Sequence, residues 1–178
     1  MVKNNTDSWQ DYIETLHSDK YLSKMFLSYE KTARLVSEKC VVDVGCGFGW
    51  GAFLYLMNGA SKVVGFDTDK ERITFAKKAF SDERITFTTD QEELFKSKPD
   101  IASLFYVLSR ETDENQLADI LCGLNANQIH IAVKSQYRSQ LEHLLQKIGK
   151  VYETNSFIVR ALNDSEEIVE AVLIRGKT

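Results

Sequence analysis

The 178-residue sequence predicts an α/β domain: a seven-stranded, mainly parallel sheet that ends in an antiparallel hairpin and is preceded by N-terminal helices. Three observations carry that expectation. Short apolar runs alternate with amphipathic stretches, glycines crowd one turn after the first run, and only a few polar residues separate the last two runs. Such alternation implies βαβ crossovers, and crossovers give parallel neighbours. With one proline, no Ser/Gly-rich linker and no repeat, the chain reads as a single domain over 1–178. Helices would occupy 1–38 and the core 39–178.

Ahead of the sheet, Trp9, Tyr12, Ile13 and Leu16, then Tyr21, Leu22, Met25, Phe26, Tyr29 and Leu35, recur at helical intervals. One or two helices are therefore expected there, either packed on a sheet face or closed over a ligand crevice as a substrate lid. Strands follow at Cys40–Val44, Lys62–Phe66, Arg84–Thr88, Asp100–Tyr106 and Gln128–Lys134, with helices between them. The last two strands, Val151–Arg160 and Glu167–Arg175, flank Leu162-Asn163-Asp164-Ser165, too short a connection for a crossover helix. They should form a hairpin at one end of the sheet.

Hydrophobic residues make up 43% and charged residues 27%, enough to build a core without disulfides or metal. The longest apolar runs, 101–108 and 129–133, fall far short of the roughly 20 residues of a membrane span. The N-terminus MVKNNTDSWQ has no apolar signal region, so the cytoplasm is the expected compartment. Cys40, Cys46 and Cys122 lack CxxC spacing and the three histidines are scattered, so reduced thiols and no metal site are expected. The net charge of −4 comes from an acidic excess within 41–135, the opposite of a polybasic footprint for nucleic acid. Oligomeric state is not readable.

The chemistry concentrates in Val41-Val42-Asp43-Val44-Gly45-Cys46-Gly47-Phe48-Gly49-Trp50-Gly51, an apolar strand, a glycine-dense turn and the start of a helix. Glycine lets a ligand approach the backbone, and the helix start offers unpaired N–H groups, a geometry suited to a nucleotide-like cofactor. Asp43 lies inside the strand, where a buried carboxylate is costly unless partnered. Asp67 ends the second strand 22 residues after Gly45, a distance that suits an acid accepting ribose hydroxyls and fits NAD equally well. The dinucleotide fingerprint fits less well, because Trp50 or Ala52 stands where its third glycine belongs.

Asp43-Val44-Gly45-Cys46-Gly47-Phe48-Gly49 resembles the D-x-G-x-G-x-G signature of class I S-adenosylmethionine-dependent methyltransferases. The resemblance spans roughly 39–175 and implies a three-layer Rossmann-like methyltransferase fold. It also implies that Asp43, Gly45, Cys46, Gly47 and Gly49 surround the methionine and ribose part of S-adenosylmethionine. Asp67 would hold the ribose, Thr68 would lie beside the adenine, Asp90 would reach the adenine amino group, and Phe105 would complete the pocket. Asp67 and Asp90 also suit helix N-caps, since each precedes a helical run.

Methyl transfer from a sulfonium needs alignment and exclusion of water more than a dedicated base. Tyr106, Lys134, His17 and Tyr21 are the candidates for the acceptor side, and His130 reads as a core histidine. The N/D-P-P-Y/F element of amino-methylating relatives is absent after the fourth strand, where the chain reads Leu104-Phe105-Tyr106-Val107. Lys134 and Glu170 match half of the Lys-Asp-Lys-Glu tetrad of RNA 2′-O-methyltransferases. Phe105 or Tyr106 replaces its aspartate, and neither Lys24 nor Lys31 is placed as its first lysine. A methyltransferase acting on a small or medium-sized acceptor is the expectation. RNA methylation and a non-catalytic cofactor-binding scaffold are the alternatives.

Overall fold

The computed structural model describes residues 20–163 and 166–176. Its strands are β1 Cys40–Val44, β2 Lys62–Phe66, β3 Ile85–Thr88, β4 Ile101–Phe105, β5 Gln128–Lys134, β6 Tyr152–Asn163 and β7 Glu166–Arg175. They form one sheet in the order β3-β2-β1-β4-β5-β7-β6. The first five are mutually parallel, and β7 is antiparallel to both β5 and β6, as the sequence predicts.

Described helices are α1 Lys20–Ala33, α2 Trp50–Met57, α3 Lys70–Ala79, α4 Gln91–Phe95, α5 Glu114–Leu124 and α6 Arg138–Ile148. Helix α6 was not expected from the loop-like stretch after β5, although Leu141, Leu144 and Ile148 bury one face at helical spacing. The hairpin is also longer than expected. β6 runs to Asn163, which pairs with Glu166, and Leu162 falls at a register shift between the Ala161 and Asn163 pairs. β4 stops at Phe105 because Tyr106 takes a left-handed backbone with φ 61°.

Strand alternation divides the core into two layers. Val42 and Val44 of β1 pack with Leu94, Leu121 and Leu141 from α4, α5 and α6. Val41 packs on the other side with Tyr29, Tyr55 and Ile73 from α1, α2 and α3. The central strands are buried on both faces, the usual state of a parallel sheet between helices. Asp43 follows Val42 and so falls on the Val41 side, beneath α1.

Helix α1 crosses close to α2 because Gly51 has no side chain. A Cβ there would overlap the Tyr29 ring. Alanine in place of a helical glycine gains about 1 kcal/mol of propensity, whereas overpacking costs about 1–3 kcal/mol. Gly51→Ala is therefore expected to lower the urea midpoint, and a raised midpoint would show that Tyr29 is not held against α2.

Candidate functional site

A cavity of about 770 Å³ opens at the carboxyl ends of β1, β2 and β4, the edge where open α/β sheets receive ligands. One wall is the turn after β1. Gly45 and Gly47 are left-handed, with φ 74° and 56°, a conformation other residues adopt at a cost of about 1–2 kcal/mol. The Gly45 and Cys46 N–H groups both donate to the Phe66 carbonyl, at 2.7 and 3.0 Å, which ties the turn to the end of β2. A Cβ on Gly45 would overlap Val107, whereas one on Gly47 would meet no atom within 4 Å. Gly47 thus leaves its backbone open, and Gly49 instead fits beneath Phe87 and Ala76 away from the cavity lining.

Asp67 bridges the two loops. Its Oδ2 accepts from the Gly47 N–H at 2.9 Å and its Oδ1 from the Asp69 N–H at 2.9 Å. Each carboxylate oxygen can accept a second bond, so this cavity-lining carboxylate can hold two further donors. Thr68 and Arg72 continue the wall, and the Arg72 guanidinium lies 5.7 Å from the centre of the Phe48 ring.

Asp43 is wholly buried and does not line the cavity. Ser103 Oγ donates to its Oδ1 at 2.7 Å, and the Tyr29 hydroxyl donates at 3.1 Å to Oδ2. Burial pushes the Asp43 carboxyl up to about 7, against the opposing effect of the Ser103 and Tyr29 hydrogen bonds, and nearby Asp67 adds to the rise. Tyr29 lines the cavity, so it links the site to the acid behind it. Burial first, then Asp43 and Asp67, raises the Cys46 thiol far above its ordinary range, which leaves it a protonated packing group.

The opposite wall is the connection from β4 to α5. Phe105 meets the Tyr29 ring edge-on at 4.8 Å, and Tyr106, Val107, Ser109, Glu111, Thr112 and Asp113 follow. Thr112 Oγ1 accepts from the Ser109 N–H and donates to the Val107 carbonyl, which shapes this loop. Asp113 caps α5 through the Asn115 and Gln116 N–H groups. Sequence reading names Phe105 and Tyr106 as pocket residues, but not Tyr29, Arg72 or the rest of this loop. Only Asp113 had a local signal, as an acid before a helix.

The remaining candidates lie elsewhere. Asp90 is exposed, caps α4 through the Glu92 N–H and does not line the cavity. Lys134 ends β5 outside the lining, and Lys31 lies 2.9 Å from Glu170. His17 and the side chain of Tyr21 lie outside the described residues. His130 is buried, with Nδ1 3.0 Å from Thr32 Oγ1. Burial and then Lys39 push its pKa down to about 4 against the pull of Glu170.

Residues 42–119 match the family model of a methyltransferase domain. That stretch, less than half of the chain, is similar to such a domain. The fold is shared with N-methyltransferase NodS from Bradyrhizobium japonicum WM9 in complex with S-adenosyl-L-homocysteine, at 14% identity and a TM-score of 0.69 over 98% of this chain and 94% of that one. An S-adenosylmethionine-dependent methyltransferase from Mesorhizobium loti gives 15% identity and a TM-score of 0.64 over 83% and 98% of the two chains. Protein 1320 of Thermoplasma acidophilum gives 16% and 0.66 over 88% of each. No curated protein matches at the level of sequence. No helix among the described residues is long and apolar enough to cross a membrane, and no described cluster of His, Cys, Asp and Glu could hold a metal ion.

Buried Asp43 and His130 have opposite pH signatures. Asp43 rises from 3.8 to about 7 on folding, so the folded state holds its proton more tightly and stability falls as pH rises through that window. His130 drops from 6.5 to about 4, so stability grows as pH rises from 4 to 6.5. Relative to wild type, Asp43→Asn should add a positive slope and His130→Gln a negative one, each at most about 1.4 kcal/mol per pH unit. Urea midpoints from pH 4 to 7.5 check this, and parallel curves for all three proteins would refute it.

Proposed function

We propose that the cavity beside Asp67 binds S-adenosylmethionine and that the protein catalyses transfer of its methyl group to a small-molecule acceptor. The observation that carries the reading is Asp67 itself, held by two backbone N–H groups at the cavity wall with two acceptor positions to spare. Those positions suit the paired hydroxyls of a ribose. Gly47 supplies the open backbone for close approach, while Thr68 and Arg72 extend the same wall towards a base. Asp67, Glu111 and Asp113 outnumber Arg72 in the lining, and this acidic balance favours a cationic cofactor.

The cofactor supplies a methyl carbon already activated by its sulfonium. The chain contributes position and dryness: Phe105 and Tyr29 form a buried aromatic wall, and Tyr106 lines the space where an acceptor would approach. Bound beside Asp67, the cofactor would offer that methyl carbon to an acceptor lone pair. Alignment in a water-poor site lowers much of that barrier. Pairing of Lys31 with Glu170 is the one observation on the side of an RNA ribose acceptor. Phe105 in place of the tetrad's aspartate and the acidic net charge weigh for a small acceptor.

Isothermal titration should show binding of both S-adenosylmethionine and S-adenosylhomocysteine. Asp67→Ala should weaken both by about 10- to 150-fold, the equivalent of charge-assisted hydrogen bonds worth about 1.5–3 kcal/mol. Binding of NAD in place of the two sulfur compounds would overturn the reading. Cofactor binding without turnover on any small acceptor would leave a binding protein instead of an enzyme.

A further inference from the structure

A second cavity, of about 310 Å³, lies between α1 and the β5-β7-β6 end of the sheet, on the far side of Phe105. Phe105 lines both cavities, and α1 serves both, with Tyr29 in the first and Ser28, Lys31 and Thr32 in the second. The volume sits at the small end of ligand cavities, which begin near about 300 Å³. Its walls are chiefly apolar: Leu35, Phe105, Ile131, Ile158 and Val172. Leu35 and Ile158 are each 48% exposed, an apolar lip around a pocket that also contains fixed polar groups.

The charged groups are three, and they are joined to one another. Glu170 accepts from Ser28 Oγ at 3.1 Å, from Lys31 Nζ at 2.9 Å and from Arg160 at 2.8 Å. Two cations against one carboxylate leave the cavity with one net positive charge. A guanidinium carries five N–H donors and an ammonium three, so Arg160 and Lys31 are not exhausted by these bonds to Glu170. His130 lines the same cavity at 8% exposure, and its Nε2 has no hydrogen-bond partner among the described residues. Buried ring nitrogens are ordinarily satisfied. The cavity therefore combines a hydrophobic body, a net positive end and an unmatched polar atom.

We propose that this second cavity binds the body of the methyl acceptor, a small apolar or aromatic molecule with one carboxylate. The carboxylate meets Arg160 and Lys31, and the reacting group lies on the Phe105 side. The inference rests on the reading of the first cavity as the cofactor site, but its test does not. Its selectivity is physical: an apolar wall rejects strongly polar bodies, and a single net positive charge prefers a monoanion over a neutral or cationic analogue.

The test uses the full chain, with 4-hydroxyphenylacetate and its neutral amide as probes in calorimetric titrations with and without saturating S-adenosylhomocysteine. The acid should bind at least about tenfold more tightly than the amide, a preference that Arg160→Gln should abolish. Ile158→Trp, at an exposed lip position, should weaken both probes by filling the cavity without touching the charges. Both variants should bind S-adenosylhomocysteine as wild type does, which also reports their folding. Absence of acid binding, equal binding of acid and amide, binding that survives both variants, or competition between the acid and S-adenosylhomocysteine would each overturn the proposal. Wild-type protein that binds the acid with this pattern but not S-adenosylhomocysteine would instead overturn the cofactor reading and uphold the second cavity as an anion site.

Discussion

A carboxylate buried in the central strand constrains much of this molecule. Asp43 has no exposure to water, so its polar atoms must be matched from within. Ser103 from the neighbouring β4 supplies one hydrogen bond and Tyr29 from α1 supplies the other. The second bond links a helix to the sheet at one point, and the absent side chain of Gly51 lets that helix settle there. Once Tyr29 is placed, α1 runs across β4 and β5 towards β7. Thr32 then meets His130, and Ser28 and Lys31, on either side of Tyr29 in sequence, meet Glu170. The walls of both cavities follow from that course.

The carboxyl ends of the strands supply the other half of the site. Gly45 and Gly47 permit the reversal after β1, and the Phe66 carbonyl receives the N–H groups of that turn. Asp67 then joins the turn to the start of α3. A ligand held by this carboxylate is held by two loops at once, which prearranges its position without a dedicated domain. The β4–α5 loop completes the enclosure through its own hydrogen bonds, with Tyr106 accepting a left-handed backbone so that the chain can leave β4 sharply. Such strain at a cavity wall is commonplace where side-chain direction matters more than local stability.

The two cavities differ in character in a way that matches a two-substrate reaction. The first has acidic groups at its wall and open backbone at Gly47. The second is apolar with one net positive charge from Lys31, Arg160 and Glu170. Phe105 stands between them, buried and packed edge-on against Tyr29. A shift of either ring would therefore be felt on both sides, a direct physical link between the spaces assigned to cofactor and acceptor.

The sequence by itself determined the parallel sheet, the terminal hairpin, the glycine turn and the acids at positions 43 and 67, because each rests on local spacing or on a residue type with few backbone alternatives. It did not separate the roles of those acids. Asp43 and Asp90 both fit a family motif, yet strand alternation turns one beneath α1 and local capping occupies the other at α4. Gly49 likewise belongs to the motif by spacing but is spent on contact with Phe87 and Ala76. Helix α6 and the full length of β6 were legible only weakly, since a short amphipathic stretch and a polar strand end look much like loop. Tertiary structure alone decided that Tyr29, Lys31, Thr32, Phe105, His130, Arg160 and Glu170 would face shared spaces. They come from α1, β4, β5, β6 and β7, and no local pattern encodes a contact whose partners lie scores of residues apart; only the order of strands and the packing of α1 across them bring these side chains together.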